Sequence, residues 1–239
     1  MNELLKKLYT SKWSEISNML QSFNEEEPDD FENLATHPLL IKTDKEYEAS
    51  ELKVMFFGQE TNYWGGEYNN GVFKEGIDVD SLLNLYNQFY LEKGYEEYGK
   101  PFWNFIRKLK SSEADKKVGY VWNNVLKIGK CESGTPQQGL INYAFEYFNV
   151  IPQEIEILKP NLLLFLSGHN YDEYIRKSVG NFTKIPVEGF STNELCKFEF
   201  ESIPVKLALR TYHPGFLQRL GKEKLDKISD TISQTINSQ

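Results

Sequence analysis

The chain has 239 residues with 27 Lys or Arg against 35 Asp or Glu, a net charge of −8. That balance argues against a broad electrostatic footprint on nucleic acid, because phosphate contacts recruit Lys and Arg. With 40% hydrophobic and 26% charged residues, the composition is an ordinary globular one, and no apolar run approaches the ~18 residues a membrane span needs. We expect one domain over residues 1–239, with residues 1–48 forming a helix and an acidic loop packed on the core.

The opening Met1-Asn2-Glu3-Leu4-Leu5-Lys6-Lys7 lacks an apolar signal core, so a cytoplasmic, monomeric protein is the expectation. Cys131 and Cys196 read as free thiols. His37, His169 and His213 form no ligand-spaced pair, so no metal site is expected.

Leu4, Leu5, Leu8, Trp13, Ile16 and Leu20 recur at helical spacing and predict an amphipathic helix over residues 3–23. An acidic loop with Glu25-Glu26-Glu27 and Asp29-Asp30 follows. Residues 52–57 (LKVMFF) are a buried strand cut off by Gly58. Residues 62–76, rich in Gly, Asn, Tyr and Trp, predict a long ordered loop of the kind that carries function. Helices are expected over 81–91 and 101–109, the second opening on Pro101. A second buried strand is expected over 118–128, then a helix over about 137–157 that Pro152 can split. Residues 161–166 (NLLLFL) are the third strand, with a helix over 170–178 after it. Strands over 197–203 and 205–211 follow, Pro204 making the first an edge or a turn. A helix over 217–236 comes last. Alternating strands and helices predict a three-layer α/β/α sandwich with a mainly parallel central sheet.

Ligands of such sheets bind beyond the carboxyl ends of the strands. Standing there are Gly58-Gln59-Glu60-Thr61-Asn62, the pair Asn123-Asn124, Ser167-Gly168-His169-Asn170, and Tyr212-His213-Pro214-Gly215. A carboxylate, a carboxamide and an imidazole on one rim suit acid/base and hydrogen-bonding chemistry, with no nucleophilic Ser or Cys in evidence.

These segments carry a resemblance. Gly58-Gln59-Glu60 after an apolar strand resembles the Gly-Gln-Asp water-activating motif of family 1 uracil-DNA glycosylases, with Glu in place of Asp. Asn123-Asn124-Val125-Leu126 resembles the Asn-Thr-Val-Leu segment whose Asn reads the uracil edge. Thr211-Tyr212-His213-Pro214-Gly215 is similar to the Thr-Tyr-His-Pro-Ser/Ala stretch of other families in the superfamily, and Phe216-Leu217-Gln218-Arg219 to their Leu-Leu-Arg. Phe73 stands 13 positions beyond Glu60, the offset of the base-stacking Phe in family 1. Thr61-Asn62 stands where Pro-Tyr would follow, and Gly215-Phe216 where Ser-Pro would. The likeness spans roughly residues 50–220.

The resemblance implies a uracil-DNA glycosylase-like fold and a hydrolase acting in base-excision DNA repair on DNA that holds a deaminated or damaged base, without metal or cofactor. Glu60 would activate water and His213 would donate to the departing base. Gln59, Phe73 and Asn123 would bind the base, with Asn124 the rival to Asn123 and Tyr63, Trp64 or Tyr68 further candidates for the pocket wall. Gly58, His169, Gly215 and Arg219 would supply phosphate or loop contacts. Two alternatives stay open: a non-catalytic member that binds a nucleobase, nucleotide or protein, and a hydrolase of another N-glycosidic bond.

Overall fold

The computed structural model describes residues 1–26, 29–66, 69–112 and 117–239, with Asn69 as backbone only. Glu27 of the acidic loop and Tyr68 of the long loop lie outside the described residues.

The first helix, α1 (Asn2–Glu26), buries Leu5, Tyr9, Ile16, Leu20 and Asn24 along one stripe. A short α2 (Lys45–Ala49) is capped by Asp44, whose carboxylate accepts from the Tyr47 N–H at 2.7 Å. Strand β1 (Leu52–Gly58) leads into the long loop. Asp78 caps α3 (Val79–Tyr86), which continues as a π-turn over Asn87–Leu91. Helix α4 (Pro101–Ser111) has Pro101 in its first turn, where a missing N–H costs nothing. Then come β2 (Val118–Asn124), α5 (Gln138–Phe148), α6 (Ile151–Leu158), β3 (Leu162–Leu166), α7 (Asp172–Val179), β4 (Phe182–Pro186), β5 (Leu195–Phe200), β6 (Leu207–Thr211), α8 (Pro214–Leu220) and α9 (Lys222–Asn237).

The six strands form one sheet in the order β2-β1-β3-β6-β5-β4. The first four are parallel, and β5 runs antiparallel to both its neighbours. Helices flank this central sheet: α1 packs against α3, α5 and α6, while α4, α8 and α9 form a second group. A continuous apolar core runs from Leu5 to Ile236, with every residue of β3 buried. Cys131 and Cys196 are free and buried. No helix among the described residues is long and apolar enough to cross a membrane.

Several boundaries depart from expectation. The helix over 137–157 is split near Pro152, as its sequence allows, into α5 and α6, with Pro152 in the first turn of α6. The helix over 217–236 begins earlier and breaks at Gly221, whose φ of +102° interrupts the ladder between α8 and α9. Strand β5 is not an edge, because β4 pairs on its outer side and Pro204 falls in the connection to β6.

Behind β2 lies a buried polar cluster. Lys127 Nζ meets Glu154 Oε1 at 2.8 Å, and the two side chains are 4% and 0% exposed. Tyr9 O–H donates to Glu154 Oε1 at 2.6 Å and Asn123 Nδ2 donates to Oε2 at 2.8 Å. Burial pushes Lys127 below the ordinary lysine range and the Glu154 carboxylate pulls it back. A second cluster anchors the β5–β6 hairpin: fully buried Arg210 grips Asp172 through Nε and Nη2 and donates to the carbonyls of Thr192 and Asn193.

Removing one member of the Lys127–Glu154 pair leaves an uncompensated buried charge. We expect Glu154→Ala to cost about 3–5 kcal/mol of stability, and Lys127→Met with Glu154→Leu to recover most of that loss. Urea unfolding of the three proteins checks this; a single variant within about 1 kcal/mol of wild type would show that the pair is not held as described.

Candidate functional site

A cavity of about 860 Å³ opens at the carboxyl ends of the parallel strands, and Gln59, Glu60, Asn124 and His213 all line it. The segments that follow β1 and β2 are stitched together there. Val125 N–H and Leu126 N–H donate to the carbonyls of Gly58 and Gln59, and Tyr63 N–H donates to Lys130 O. Gly129 lies so close beneath Thr61 that a Cβ would fall 1.6 Å from the Thr61 carbonyl oxygen. Only glycine fits at that crossing.

Glu60 is half-buried. Tyr171 O–H donates a short hydrogen bond to its Oε2, and Thr135 Oγ1 bonds the same phenol at 2.9 Å. Burial pushes Glu60 above the ordinary carboxylate range, while the Tyr171 hydroxyl and Lys130 pull it back. The adjacent Gln59 donates through Nε2 to Ser167 O at 2.7 Å, tying the end of β1 to the end of β3.

His213 precedes α8, and its Nδ1 accepts from the Gly215 N–H at 3.1 Å. An accepting Nδ1 carries no proton, so the imidazole is the Nε2–H tautomer. Burial, with Arg219 as a second cause, pushes its pKa down to about 4. The ring lies nearly parallel to Phe102, with centroids 5.8 Å apart. His213 is thus a neutral hydrogen-bond donor at neutral pH.

The carboxamide at the cavity is Asn124, not Asn123. Side chains alternate along β2, so Trp122 and Asn124 face the cavity while fully buried Asn123 faces Glu154 and Lys127. Asn123 is therefore no ligand reader; its Oδ1 accepts from the Asn124 N–H at 2.9 Å and so supports the residue that lines the cavity. Asn124 Oδ1 accepts from Trp122 Nε1 at 3.3 Å, which leaves its Nδ2 and a second oxygen lone pair for a ligand. Gly58 permits this: a Cβ there would fall 2.4 Å from Asn124 Oδ1.

Phe73 is also corrected. It is 1% exposed, packs against Trp13 and His37 at 6.2 and 5.6 Å, and does not line this cavity, because the long loop turns back onto α1. The aromatic wall comes from elsewhere: Trp122 meets Trp64, Phe89 and Trp103 with centroids 5.1–5.5 Å apart. Trp64 stands in the long loop that the sequence marks as functional. Phe89, Phe102 and Trp103 carry no such signal, because their segments read as ordinary helix.

The remaining candidates divide. Gly215 lines the cavity and holds His213. His169 lies edge-on to Tyr212 at 5.8 Å and outside the cavity; the 3-10 turn His169–Tyr171 presents Tyr171 to Glu60 instead. Arg219 is exposed over the Phe216 ring, outside the cavity lining but near enough to act on His213. Among the described residues, no three His, Cys, Asp or Glu side chains gather as metal ligands.

No protein-family model and no curated protein matches the chain.

The His213 environment predicts a pH dependence of stability. The unfolded chain takes up this proton near pH 6.5 and the folded protein near 4. Between those values the unfolded state binds more protons, so the His213 contribution is complete above about pH 6.5 and is lost as pH falls toward about 4. Melting temperatures of wild type and His213→Gln across this window check it, with the wild type expected to fall more steeply. Equal slopes would mean that the imidazole titrates as it does in the unfolded chain.

Proposed function

We propose that this chain is a uracil-DNA glycosylase-like hydrolase that removes uracil or a related damaged base from DNA. The observation that carries the proposal is one cavity onto which a carboxylate, a neutral Nε2–H imidazole and a carboxamide all open, beside an aromatic wall. Family-like motifs stand at the ends of β1 and β6 in the expected order, which supports this reading; at β2 the motif's Asn falls on buried Asn123, and Asn124 lines the cavity in its place.

Breaking the bond between C1′ and the base nitrogen leaves positive charge on the sugar and an electron pair on the base. Glu60 would accept a proton from the attacking water as its oxygen joins C1′, and would stabilise the sugar cation. His213 would hold the base oxyanion by a hydrogen bond rather than by proton transfer, since its pKa near 4 keeps it neutral. Asn124 can donate to one base atom and accept from the next, which is what telling uracil from cytosine requires. Any of the wall aromatics can stack on the base.

Glu60 must be ionised to act, and burial raises its pKa. The rate is therefore expected to fall on acidification at a pH above the ordinary glutamate value of 4.5. Glu60→Gln and His213→Ala are each expected to lower base release about 100-fold or more, and Asn124→Ala to erode preference for uracil over cytosine. Base release from deoxyuridine-containing oligonucleotides, with these variants and across pH, tests the proposal; an inert wild-type protein at enzyme excess removes it. The raised pKa of Glu60 favours one second possibility, a non-catalytic nucleobase-binding protein. Binding without turnover, unchanged by Glu60→Gln, is its signature.

A further inference from the structure

Two aromatic side chains lining the cavity are far more exposed than the rest of its aromatic wall. Tyr63 is 44% exposed and Tyr98 is 49% exposed, whereas Trp64, Trp103 and Trp122 are 5–7% exposed. Tyr63 is also held at a backbone φ of +53°, a left-handed conformation that bulky residues rarely adopt. Glycines flank its ring: a Cβ at Gly66 would fall 2.5 Å from Tyr63 Cε1, and one at Gly71 would fall 3.2 Å from Cδ2. Strained backbone kept in place by its surroundings is a mark of functional segments. Here the strain presents a large aromatic ring at the cavity mouth. Tyr98 comes from a separate segment just before α4, next to exposed Lys100, which also lines the cavity.

Charge is distributed to match. On a chain of net charge −8, Lys100 lines the cavity, Lys130 acts on Glu60 and Arg219 acts on His213. Three cations suit a few phosphates and not the long footprint of a duplex. The cavity of about 860 Å³ is near the top of the ~300–1,000 Å³ range of ligand sites, more room than a single-ring base needs. Stacking platforms at the mouth of such a cavity require bases with free faces, and those of a duplex are covered by their neighbours.

We propose that the site takes an extended single strand of DNA, with the bases flanking the one in the cavity stacked on Tyr63 and Tyr98. This rests on the base-excision function proposed above and names its substrate form.

Fluorescence anisotropy on the full chain tests it, with a labelled DNA strand of about 12 nucleotides carrying one central deoxyuridine, the same strand in a duplex, and dUMP as competitor. The single strand is expected to bind at least about tenfold more tightly than the duplex. Tyr63→Ala and Tyr98→Ala should each weaken it about tenfold, with rescue by Phe at either position. The logarithm of the binding constant should fall against log[salt] with a slope near −2, as for about three phosphates on a single strand. Because Tyr63→Ala can disturb its loop, Tyr98→Ala in the other segment gives an independent result. Equal or tighter duplex binding, dUMP binding as tightly as the strand, or a salt slope steeper than about −5 overturns the proposal. Single-strand binding that obeys the tyrosine variants without any base release removes the catalytic function and leaves the strand site standing. Base release from duplex and single strand alike, insensitive to both tyrosines, does the reverse.

Discussion

Lys127 and Glu154 meet behind the sheet, out of water, at a desolvation cost of several kcal/mol per ion that their attraction offsets only if the remaining polar atoms are also paired. They are: Tyr9 and Asn123 donate to Glu154, and Asn123 Oδ1 accepts from Lys127 at 2.8 Å. The four partners come from α1, the end of β2, the segment after it, and α6. Such a network is satisfied in one arrangement, so it specifies the register of β2 more than it adds stability. A slip of one residue would send Asn124 into the core and turn Asn123 to the cavity. The chemistry of the front of the sheet is thus decided by ionic contacts at its back.

At the cavity the same physical effect acts on two groups with opposite consequences. Burial disfavours the charged form of each, pushing Glu60 toward protonation and His213 toward neutrality. For a hydrogen-bond donor to an oxyanion, neutrality with Nε2–H is the useful state, and the Gly215 N–H reinforces it because a protonated Nδ1 could not accept that bond. For the water-activating role proposed for Glu60, burial is a handicap. The Tyr171 hydroxyl and Lys130 counter it. Each group in this desolvated space thus has its own local partners, Tyr171 and Lys130 for Glu60 and the Gly215 N–H for His213.

This division explains what could be read from the chain alone. Apolar runs at 52–57 and 161–166 gave β1 and β3 to within a residue or so, since buried parallel strands are written as unbroken hydrophobic stretches. Strand β4, Phe-Thr-Lys-Ile-Pro with one buried residue, carries no such signal and became legible only by its pairing with β5. Gln59, Glu60 and His213 were legible because they stand at strand ends. Asn123 was misplaced by the property that makes strands readable: with a period of two, an error of one residue reverses the face. Phe73 failed for a different reason, since an offset along the chain says nothing about which way a long loop turns. Tyr171 carries no strand-end or motif signal, since it ends a 3-10 turn beyond β3 and the fold alone brings its hydroxyl to Glu60.

The acidic total charge misleads in the same way that a linear offset does. Buried pairs do not account for it, since Glu154 with Lys127 sums to zero and Asp172 with Arg210 and Lys184 to +1, so the excess of carboxylates lies elsewhere on the chain. Glu96 lines a different, smaller cavity together with Arg107 and Lys110. At physiological ionic strength exposed charges are screened over about 8 Å, so the field at the site depends on its neighbours and not on the sum. Those neighbours are Glu60 with Lys130, and His213 with Arg219, with Lys100 on the lining itself. Lys100 stands on the lining while Lys130 and Arg219 lie outside it, and so few nearby cations bound how many phosphates the site can engage.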